Sequence, residues 1–222
     1  MGLELYGKIE ELFLDKEATA ILWGKFIEIL KQLNSKNILD IGCGSGEFCK
    51  FAKENGLDVK GIDLSFNQIK RAKNCKCEVK DVCEVKEKFD VAVSIFDVIN
   101  YMNKKELKRF FSCVEKIIDR YFIFDINSYF AMSELAIGTL KAENDKKFSV
   151  LYSTFEDNKL ITEITLFEKE DNCFKKTQKY ITQYYHSIEE LTSLTNLKLK
   201  EKIPITLYGS EEVEKWILVF EK

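Results

Sequence analysis

Residues 37–48 read NILDIGCGSGEF and carry the strongest structural signal in the chain. A short apolar strand runs into a loop with glycines at positions 42, 44 and 46, and the pattern predicts that a helix begins at Glu47. Glycine removes the Cβ atom where a chain turns sharply, and it lets a ligand lie against bare backbone. Because the free N–H groups at the start of a helix attract carboxylates and phosphates, the segment predicts a ligand-binding loop.

A second strand ends in an acid at a distance that is typical of nucleotide-binding folds. Residues Val59–Asp63 read VKGID, and Asp63 lies 23 residues after Asp40. An acid about 20 residues beyond the glycine loop commonly holds ribose hydroxyls in nucleotide-binding βαβ units. The dinucleotide fingerprint G-x-G-x-x-G would place a third glycine at position 47, but Glu47 stands there and the third glycine is Gly46. The spacing therefore indicates a nucleotide site and disfavours an NAD-dependent reductase.

The segment 37–127 resembles the class I methyltransferases that use S-adenosylmethionine (SAM). Alternate glycines, preceded by an acid two residues before the first of them, are typical of that family, and Asp40 stands at this position. The resemblance implies that SAM is the cofactor. It also implies the set of cofactor-binding residues, which comprises Asp40, Gly42, Cys43, Gly44, Gly46, Asp63, Leu64, Asp81, Val82, Phe96 and Asp97.

The same resemblance assigns roles to single residues. Asp40 and the glycine loop wrap the amino-acid end of SAM, Asp63 accepts both ribose hydroxyls, and Leu64 packs on the adenine. Asp81 receives the adenine amino group, and the N–H of the next residue meets a ring nitrogen. The alternatives are a tight strand–helix turn without a ligand for the glycine loop and a solvated loop acid for Asp81.

Asn100 and Tyr101 are the predicted catalytic residues, because the resemblance places them near the transferred methyl group. Ordinary packing at the start of a helix is an equally good explanation for both. Related enzymes often carry a His-x-x-Arg pattern before the last helix, where this chain reads ITQY at residues 181–184. We therefore expect His186 to be a surface residue at a helix start and not a base. Further candidates for the acceptor pocket are Tyr6, Trp23, Tyr129, Tyr184 and Tyr185.

Strands and helices alternate along the first half of the chain. After helix in residues 5–33, strands are predicted over 37–41, 59–63, 77–79, 89–95 and 121–126, with helices between them over 47–54, 67–73 and 104–118. Alternating units of this kind predict a parallel sheet with helices on both faces. Two more strands near 198–206 and 214–221 predict an antiparallel hairpin. The expected fold is therefore α/β and Rossmann-like, with a mostly parallel, seven-stranded sheet.

The pattern changes between residues 128 and 185. A helix is predicted over 129–140. Side chains alternate between two faces, as is typical of strands, over 149–155, 159–169 and 173–185. These runs predict an inserted antiparallel sheet. Residues 1–127 and 186–222 would then form the cofactor-binding domain, and residues 128–185 a cap that selects the acceptor. This order resembles the small-molecule branch of the family, and above all the sugar-amine and glycine N-methyltransferases.

Composition argues against several other classes of protein. The 34 basic and 37 acidic residues are mixed along the chain and give a net charge of −3, which disfavours a nucleic-acid partner. No signal peptide or membrane span is recognisable, so we expect a cytoplasmic protein, as a monomer or a homodimer. In that compartment the seven cysteines would be reduced. The spacing of Cys75, Cys77 and Cys83 fits no common zinc pattern, so no metal site is expected.

Together these observations predict a SAM-dependent methyltransferase that acts on a small-molecule acceptor by in-line displacement. Nitrogen is favoured over oxygen as the methylated atom because of the N-methyltransferase resemblance. The alternative is a catalytically inactive SAM-binding sensor or partner protein, since the binding loop would be the same in both. Release of S-adenosylhomocysteine in the presence of candidate acceptors separates the two.

Overall fold

A computed structural model describes residues 2–73 and 75–222 of the chain. The helices are α1 (Gly2–Tyr6), α2 (Glu10–Phe13), α3 (Lys16–Gln32), α4 (Glu47–Glu54), α5 (Phe66–Arg71), α6 (Lys104–Ile117) and α7 (Ile188–Ser193). The main sheet contains β1 (Ile38–Ile41), β2 (Val59–Asp63), β3 (Lys76–Val79), β4 (Phe89–Ser94), β5 (Ile118–Asn127), β10 (Lys198–Ile205) and β11 (Lys215–Glu221). The second sheet contains β6 (Gly138–Glu143), β7 (Lys147–Glu156), β8 (Lys159–Glu170) and β9 (Cys173–Tyr184).

The main sheet has the strand order β10-β11-β5-β4-β1-β2-β3. The pairs among β1 to β5 are parallel, whereas β11 runs antiparallel to both β5 and β10. All residues of β1 are buried, and β4 is buried along nearly its whole length, as expected for central strands covered on both faces. The predicted fold class is confirmed.

Two apolar layers cover the main sheet, one on each face. On one face α6 packs Phe111 against Phe122, Phe124 and Phe220 of the sheet. On the other face α3 and α4 pack around Phe26 and the buried side chains of β1 and β4. Because both faces are covered, the free edge at the carboxyl ends of the parallel strands is left as the place for a ligand.

The second sheet is an antiparallel meander in which β6, β7, β8 and β9 pair in sequence order. Asp157 and Asn158 form the two-residue turn between β7 and β8, and both have positive φ, as the tight hairpin turn requires. The N-terminal helices pack on this sheet, where Leu5 and Ile9 join Ile164 in a small apolar cluster. The N-terminus therefore ties the second sheet to the molecule.

One predicted helix in this region is shorter than expected. A helix is expected over 129–140, but the helical backbone covers only residues 129–135, the last five of them as a π-type turn at Ala131–Leu135, and β6 begins at Gly138. Gly138 has a φ of 103°, and each residue of β6 pairs with a residue of β7. Pairing with a strand that lies later in the sequence outweighs local helix propensity. None of the helices in the described part of the chain is long and apolar enough to cross a membrane.

The expectation of seven reduced cysteines is wrong. Cys83 forms a disulfide with Cys113, and the sulfurs of Cys75 and Cys77 are joined as well. The expectation came from the redox state of the assumed compartment, which says nothing about the distance between two thiols. The fold brings the Cα atoms of Cys83 and Cys113 to within 4.9 Å although 30 residues separate them.

Candidate functional site

The predicted site residues lie at one edge of the main sheet, where the parallel strands end. In chain order, Asp40 to Gly46 lie at the end of β1, Asp63 and Leu64 at the end of β2, Asp81 and Val82 after β3, and Phe96 to Tyr101 after β4. Open α/β sheets bind ligands at this edge. The fold thus brings together residues that are up to 61 positions apart in the sequence.

The glycine loop turns through left-handed backbone, with φ angles of 83° at Gly42, 54° at Gly44 and 76° at Gly46. A Cβ atom at Gly42 would lie 2.7 Å from the Val98 side chain, so packing requires a glycine there. A Cβ atom at Gly44 would meet only the Gln68 side chain, at 4.0 Å. Gly44 therefore borders open space, which a side chain would fill and which a ligand can occupy against the backbone.

Asp63 closes this loop from the end of β2. Its Oδ2 accepts the Gly44 N–H at 2.9 Å, and its Oδ1 accepts the Ser65 N–H at 2.7 Å. Each carboxylate oxygen has a second lone pair, which can accept a ligand hydroxyl. The next residue, Leu64, is 74% exposed. A carboxylate beside a bare apolar side chain suits a sugar joined to a flat apolar ring.

Asp40 lies beneath the loop in β1 and is only 2% exposed. Its Oδ1 has no hydrogen-bond partner in the described part of the chain, and its Oδ2 faces the Cys49 thiol at 3.7 Å. Burial raises the pKa of Asp40 to about 7, and the charge of Asp63 adds to the effect, while the Cys49 thiol opposes it. A buried carboxylate with an unpaired oxygen is costly, and a cationic ligand group nearby would relieve that cost.

Asp81 forms the start of a 3₁₀ turn at Val82–Glu84 that follows β3. Its Oδ1 accepts the Cys83 N–H at 2.8 Å, and its Oδ2 accepts a hydrogen bond from Arg109 of α6 at 2.9 Å. Partial burial alone would raise the pKa of Asp81, but these two donors lower it below its usual value. Asp81 is therefore an ionised acceptor held against α6.

Phe96 and Asp97 form a sharp bend after β4, with φ angles of 64° and 63°. Left-handed backbone costs a residue other than glycine roughly 1–2 kcal/mol, so two in succession need support. Asp125 of β5 supplies it, because its carboxylate accepts the Phe96 N–H at 2.8 Å and the Asp97 N–H at 3.4 Å. The bend is thus held by the neighbouring strand.

Lys215, the first residue of β11, completes this network. Its ammonium donates to Asp125 Oδ2 at 2.8 Å and also contacts the carboxylate of Asp97. Burial alone would lower the pKa of Lys215, but the charges of Asp125 and Asp97 raise it above its usual value, so the lysine stays protonated. Asp97 and Asp125 carry two formal negative charges against the one positive charge of Lys215, which leaves one surplus negative charge at the bend. Sequence reasoning missed Lys215, although a lysine at the start of the apolar strand KWILVFE indicates a charged group that needs a partner at the end of the sheet.

Asn100 and Tyr101, the predicted catalytic residues, lie in a 3₁₀ turn at Val98–Tyr101. Asn100 is fully buried, and its side-chain amide forms hydrogen bonds with backbone groups. It donates to the Tyr184 carbonyl at 2.9 Å and accepts the Asn127 N–H at 3.1 Å. It thereby links the second sheet to the main sheet. Burial raises the pKa of Tyr101 well above its usual value, with further contributions from Asp97 and other groups. Tyr101 is therefore a hydroxyl at neutral pH and not a base.

Two more tyrosines lie near Asp97, one from each end of the chain. Burial raises the pKa of Tyr6 to about 12, and the charges of Glu10 and Asp97 contribute. Burial also raises the pKa of Tyr208, to which Asp97 again contributes. Asp97 thus contributes to the raised pKa of Tyr6, Tyr101 and Tyr208, so the three hydroxyl groups lie within its electrostatic influence. Sequence analysis identified Tyr6 but missed Tyr208, which follows β10 in a loop without any motif.

The expectation that His186 is a surface residue is wrong. The side chain is buried, its Nε2 lies 2.9 Å from the Met102 carbonyl, and its Nδ1 lies 3.3 Å from the Glu190 carboxylate. These contacts join the start of α7 to the segment before α6. A histidine engaged on both ring nitrogens has a structural role, and its Met102 partner lies 84 residues away in the sequence, where no local pattern indicates it.

Comparisons with known proteins agree with this geometry. A family model described as a methyltransferase domain matches residues 16–154. A protein of Geobacillus sp. (strain WCH70) that is named as a methyltransferase is 28% identical over 206 residues, which cover 80% of this chain and 83% of the relative.

Two solved structures share the fold over nearly the whole chain. An S-adenosylmethionine-dependent methyltransferase from Clostridium acetobutylicum ATCC 824 is 20% identical, with a TM-score of 0.77 and coverage of 99% of this chain and 96% of that chain. A sugar N-methyltransferase from Streptoalloteichus sp. ATCC 53650 is 14% identical, with a TM-score of 0.73 and coverage of 99% and 93%. At these identities the structures demonstrate a common fold.

Gly44→Val should abolish binding of S-adenosylhomocysteine, because the side chain would fill the open space beside the loop. Gly56→Val is the matched control, since Gly56 also has a positive φ and open surroundings but lies at the far end of α4. Both variants should lose similar stability through backbone strain. Titration calorimetry should show normal binding for the control only. Equal affinity in both variants would show that the loop is not the binding site.

Lys215→Met should destabilise the protein by about 3–5 kcal/mol, because it leaves the buried Asp125 and the partly buried Asp97 without their cation. Lys198→Met, on the exposed edge strand of the same sheet, should change the free energy of unfolding by less than about 0.5 kcal/mol. Urea unfolding of both variants measures the difference. A small loss for Lys215→Met would mean that the ion pair does not support the bend.

Asp40→Asn should stabilise the unliganded protein increasingly as the pH rises. The pKa of Asp40 is raised in the folded state, so ionisation opposes folding, and the wild-type protein loses stability from about pH 4 to about pH 7. The stability difference between variant and wild type should therefore grow by up to roughly 4 kcal/mol between pH 4 and pH 8. Urea unfolding across this pH range measures it, and a difference that is independent of pH would contradict the burial argument.

Proposed function

Because the chain belongs to the methyltransferase domain family, we propose that it transfers a methyl group from SAM to a small-molecule acceptor, with nitrogen favoured over oxygen. The observation that carries this proposal is the open space beside Gly44, bordered by the Asp63 carboxylate and the exposed Leu64. A cofactor with a ribose, an adenine and an amino-acid tail has a chemical counterpart for each of these features. When bound, SAM supplies a methyl group on a positively charged sulfur.

The proposed cofactor residues would contact different parts of SAM along the edge of the sheet. Asp63 would hold the ribose hydroxyls, Leu64 would cover one face of the adenine, and Asp81 with the Val82 N–H would receive the adenine edge. Asp40, Gly42, Cys43, Gly44 and Gly46 would surround the amino-acid tail, together with Phe96 and Asp97. The unpaired Asp40 oxygen and the surplus negative charge at Asp97 both favour an ammonium group there.

The acceptor would lie among Tyr6, Tyr101 and Tyr208, next to Asp97. Displacement at a sulfonium releases a neutral leaving group, so alignment and exclusion of water supply most of the catalysis. Tyr6 and Tyr101 are protonated at neutral pH and can donate or accept hydrogen bonds to orient the acceptor. A negatively charged site of this kind attracts an amine as its ammonium ion, which must release one proton before its lone pair can attack the methyl group. Asn100 would act as a positioning residue because its amide is bound to backbone.

Residues 128–185 would form a cap over the acceptor, on a cofactor-binding domain of residues 1–127 and 186–222. Two contacts support this arrangement. Asn100 binds the carbonyl of Tyr184 at the end of β9, and α1 packs on the second sheet while it brings Tyr6 towards Asp97. The cap is therefore anchored at the edge of the main sheet where the methyl group would be transferred.

A screen for release of S-adenosylhomocysteine tests the proposal. Purified protein should bind S-adenosylhomocysteine and not NADH, and it should turn over SAM with at least one member of a panel of amines, amino sugars and carboxylic acids. Tyr101→Phe should slow turnover of the best substrate and leave the affinity for S-adenosylhomocysteine unchanged. Binding without turnover of any amine would favour a SAM-binding sensor. Binding of NADH alone would overturn the assignment.

A further inference from the structure

The turn at Val82–Glu84 is attached to α6 by two contacts that lie side by side. Cys83 is joined to Cys113, and Asp81 pairs with Arg109 at 2.9 Å. Arg109 and Cys113 are four residues apart in α6 and therefore share one face of the helix. The loop that is proposed to contact the adenine is thus attached to α6 by one covalent bond and one ion pair.

These two cysteines differ from the free cysteines of the described residues. Cys83 and Cys113 are only partly buried, so a small reagent can reach their sulfurs. Cys43 and Cys49 are buried, and burial raises the pKa of both thiols, which makes them poor nucleophiles. Cys173 is exposed on the second sheet, and its thiol donates to the Glu170 carbonyl and forms no disulfide with a described residue.

The ion pair by itself contributes little to holding the loop. The Arg109 side chain is 63% exposed, and exposed ion pairs contribute little to stability. Without the disulfide, the turn would keep this pair, the hydrogen bond from the Cys83 N–H to Asp81 and the packing of the buried Val82 side chain. The segment from Asp81 to Glu84 would then sample more conformations, and a ligand would have to order it on binding.

We propose that Cys83 and Cys113 form a redox modification site, whose reversible disulfide holds the Asp81–Val82 loop in its binding conformation and so raises affinity for the adenosyl ligand. The proposal rests on the proposed function, because it takes Asp81 and Val82 as the adenine contacts. The oxidant is a low-molecular-weight disulfide. One protein thiolate attacks it, forms a mixed disulfide and releases one small thiol. The second protein thiolate then displaces the other small thiol, so two protein thiols are oxidised and the reagent is reduced to two thiols.

The experiment compares S-adenosylhomocysteine binding in the oxidised and reduced full-length protein. One sample is treated with oxidised glutathione and the other with a phosphine reductant, and peptide mapping confirms the state of Cys83 and Cys113. Titration calorimetry should give an affinity at least threefold weaker in the reduced sample. Cys113→Ser should bind with the weaker affinity under both conditions. Cys173→Ser, the matched control, should respond to oxidation as the wild type does.

Each other outcome identifies a different failure. Equal affinity in both wild-type samples would overturn the redox site and leave the proposed function intact. A redox response that persists in Cys113→Ser would not need the Cys83–Cys113 disulfide, whether it came from the joined Cys75 and Cys77 or from a mixed disulfide on Cys83, and would overturn the assignment. Failure of both samples to bind S-adenosylhomocysteine would overturn the proposed function and the redox site together.

Discussion

The carboxylate of Asp125 is the constraint on which the edge of the main sheet depends. It accepts two backbone N–H groups at the bend after β4 and the ammonium of Lys215 at the start of β11. Burial raises the pKa of Asp125, while the Lys215 ammonium and the Phe96 N–H oppose that shift by stabilising the ionised carboxylate. Asp125 lies fully buried, where a charge without such donors would be very costly. Its contacts therefore fix the end of β4 and the start of β11 relative to β5.

The second sheet depends on this edge in turn. Asn100 lies in the turn that follows the bend, and its amide joins the main sheet at Asn127 to the second sheet at Tyr184. The N-terminal helices then pack on the second sheet and bring Tyr6 near Asp97. Residues from both ends of the chain thus meet at one place, which explains how a site can contain Tyr6 and Tyr208 together.

Two of the sequence-based expectations failed because the deciding partner was distant in the chain. His186 was expected on the surface, but its Nε2 lies 2.9 Å from the carbonyl of Met102, 84 residues away. Cys83 and Cys113 were expected to be reduced, but α6 brings them together across 30 residues. A third departure is local, because the helix expected over 129–140 ends at Leu135 and β6, which begins at Gly138, pairs with the next strand in the sequence, β7.

The amino-acid sequence by itself determined the alternating main sheet, the glycine loop and the acids at the ends of β1 and β2. Those features arise from local rules, since left-handed φ angles select glycine and apolar periodicity selects strand or helix. Only the tertiary structure decided that Lys215 pairs with Asp125, that the Asn100 amide binds backbone groups, and that Asp97 influences the pKa of three tyrosines. Burial and pairing of charge depend on neighbours that are remote in the chain, so no local pattern records them.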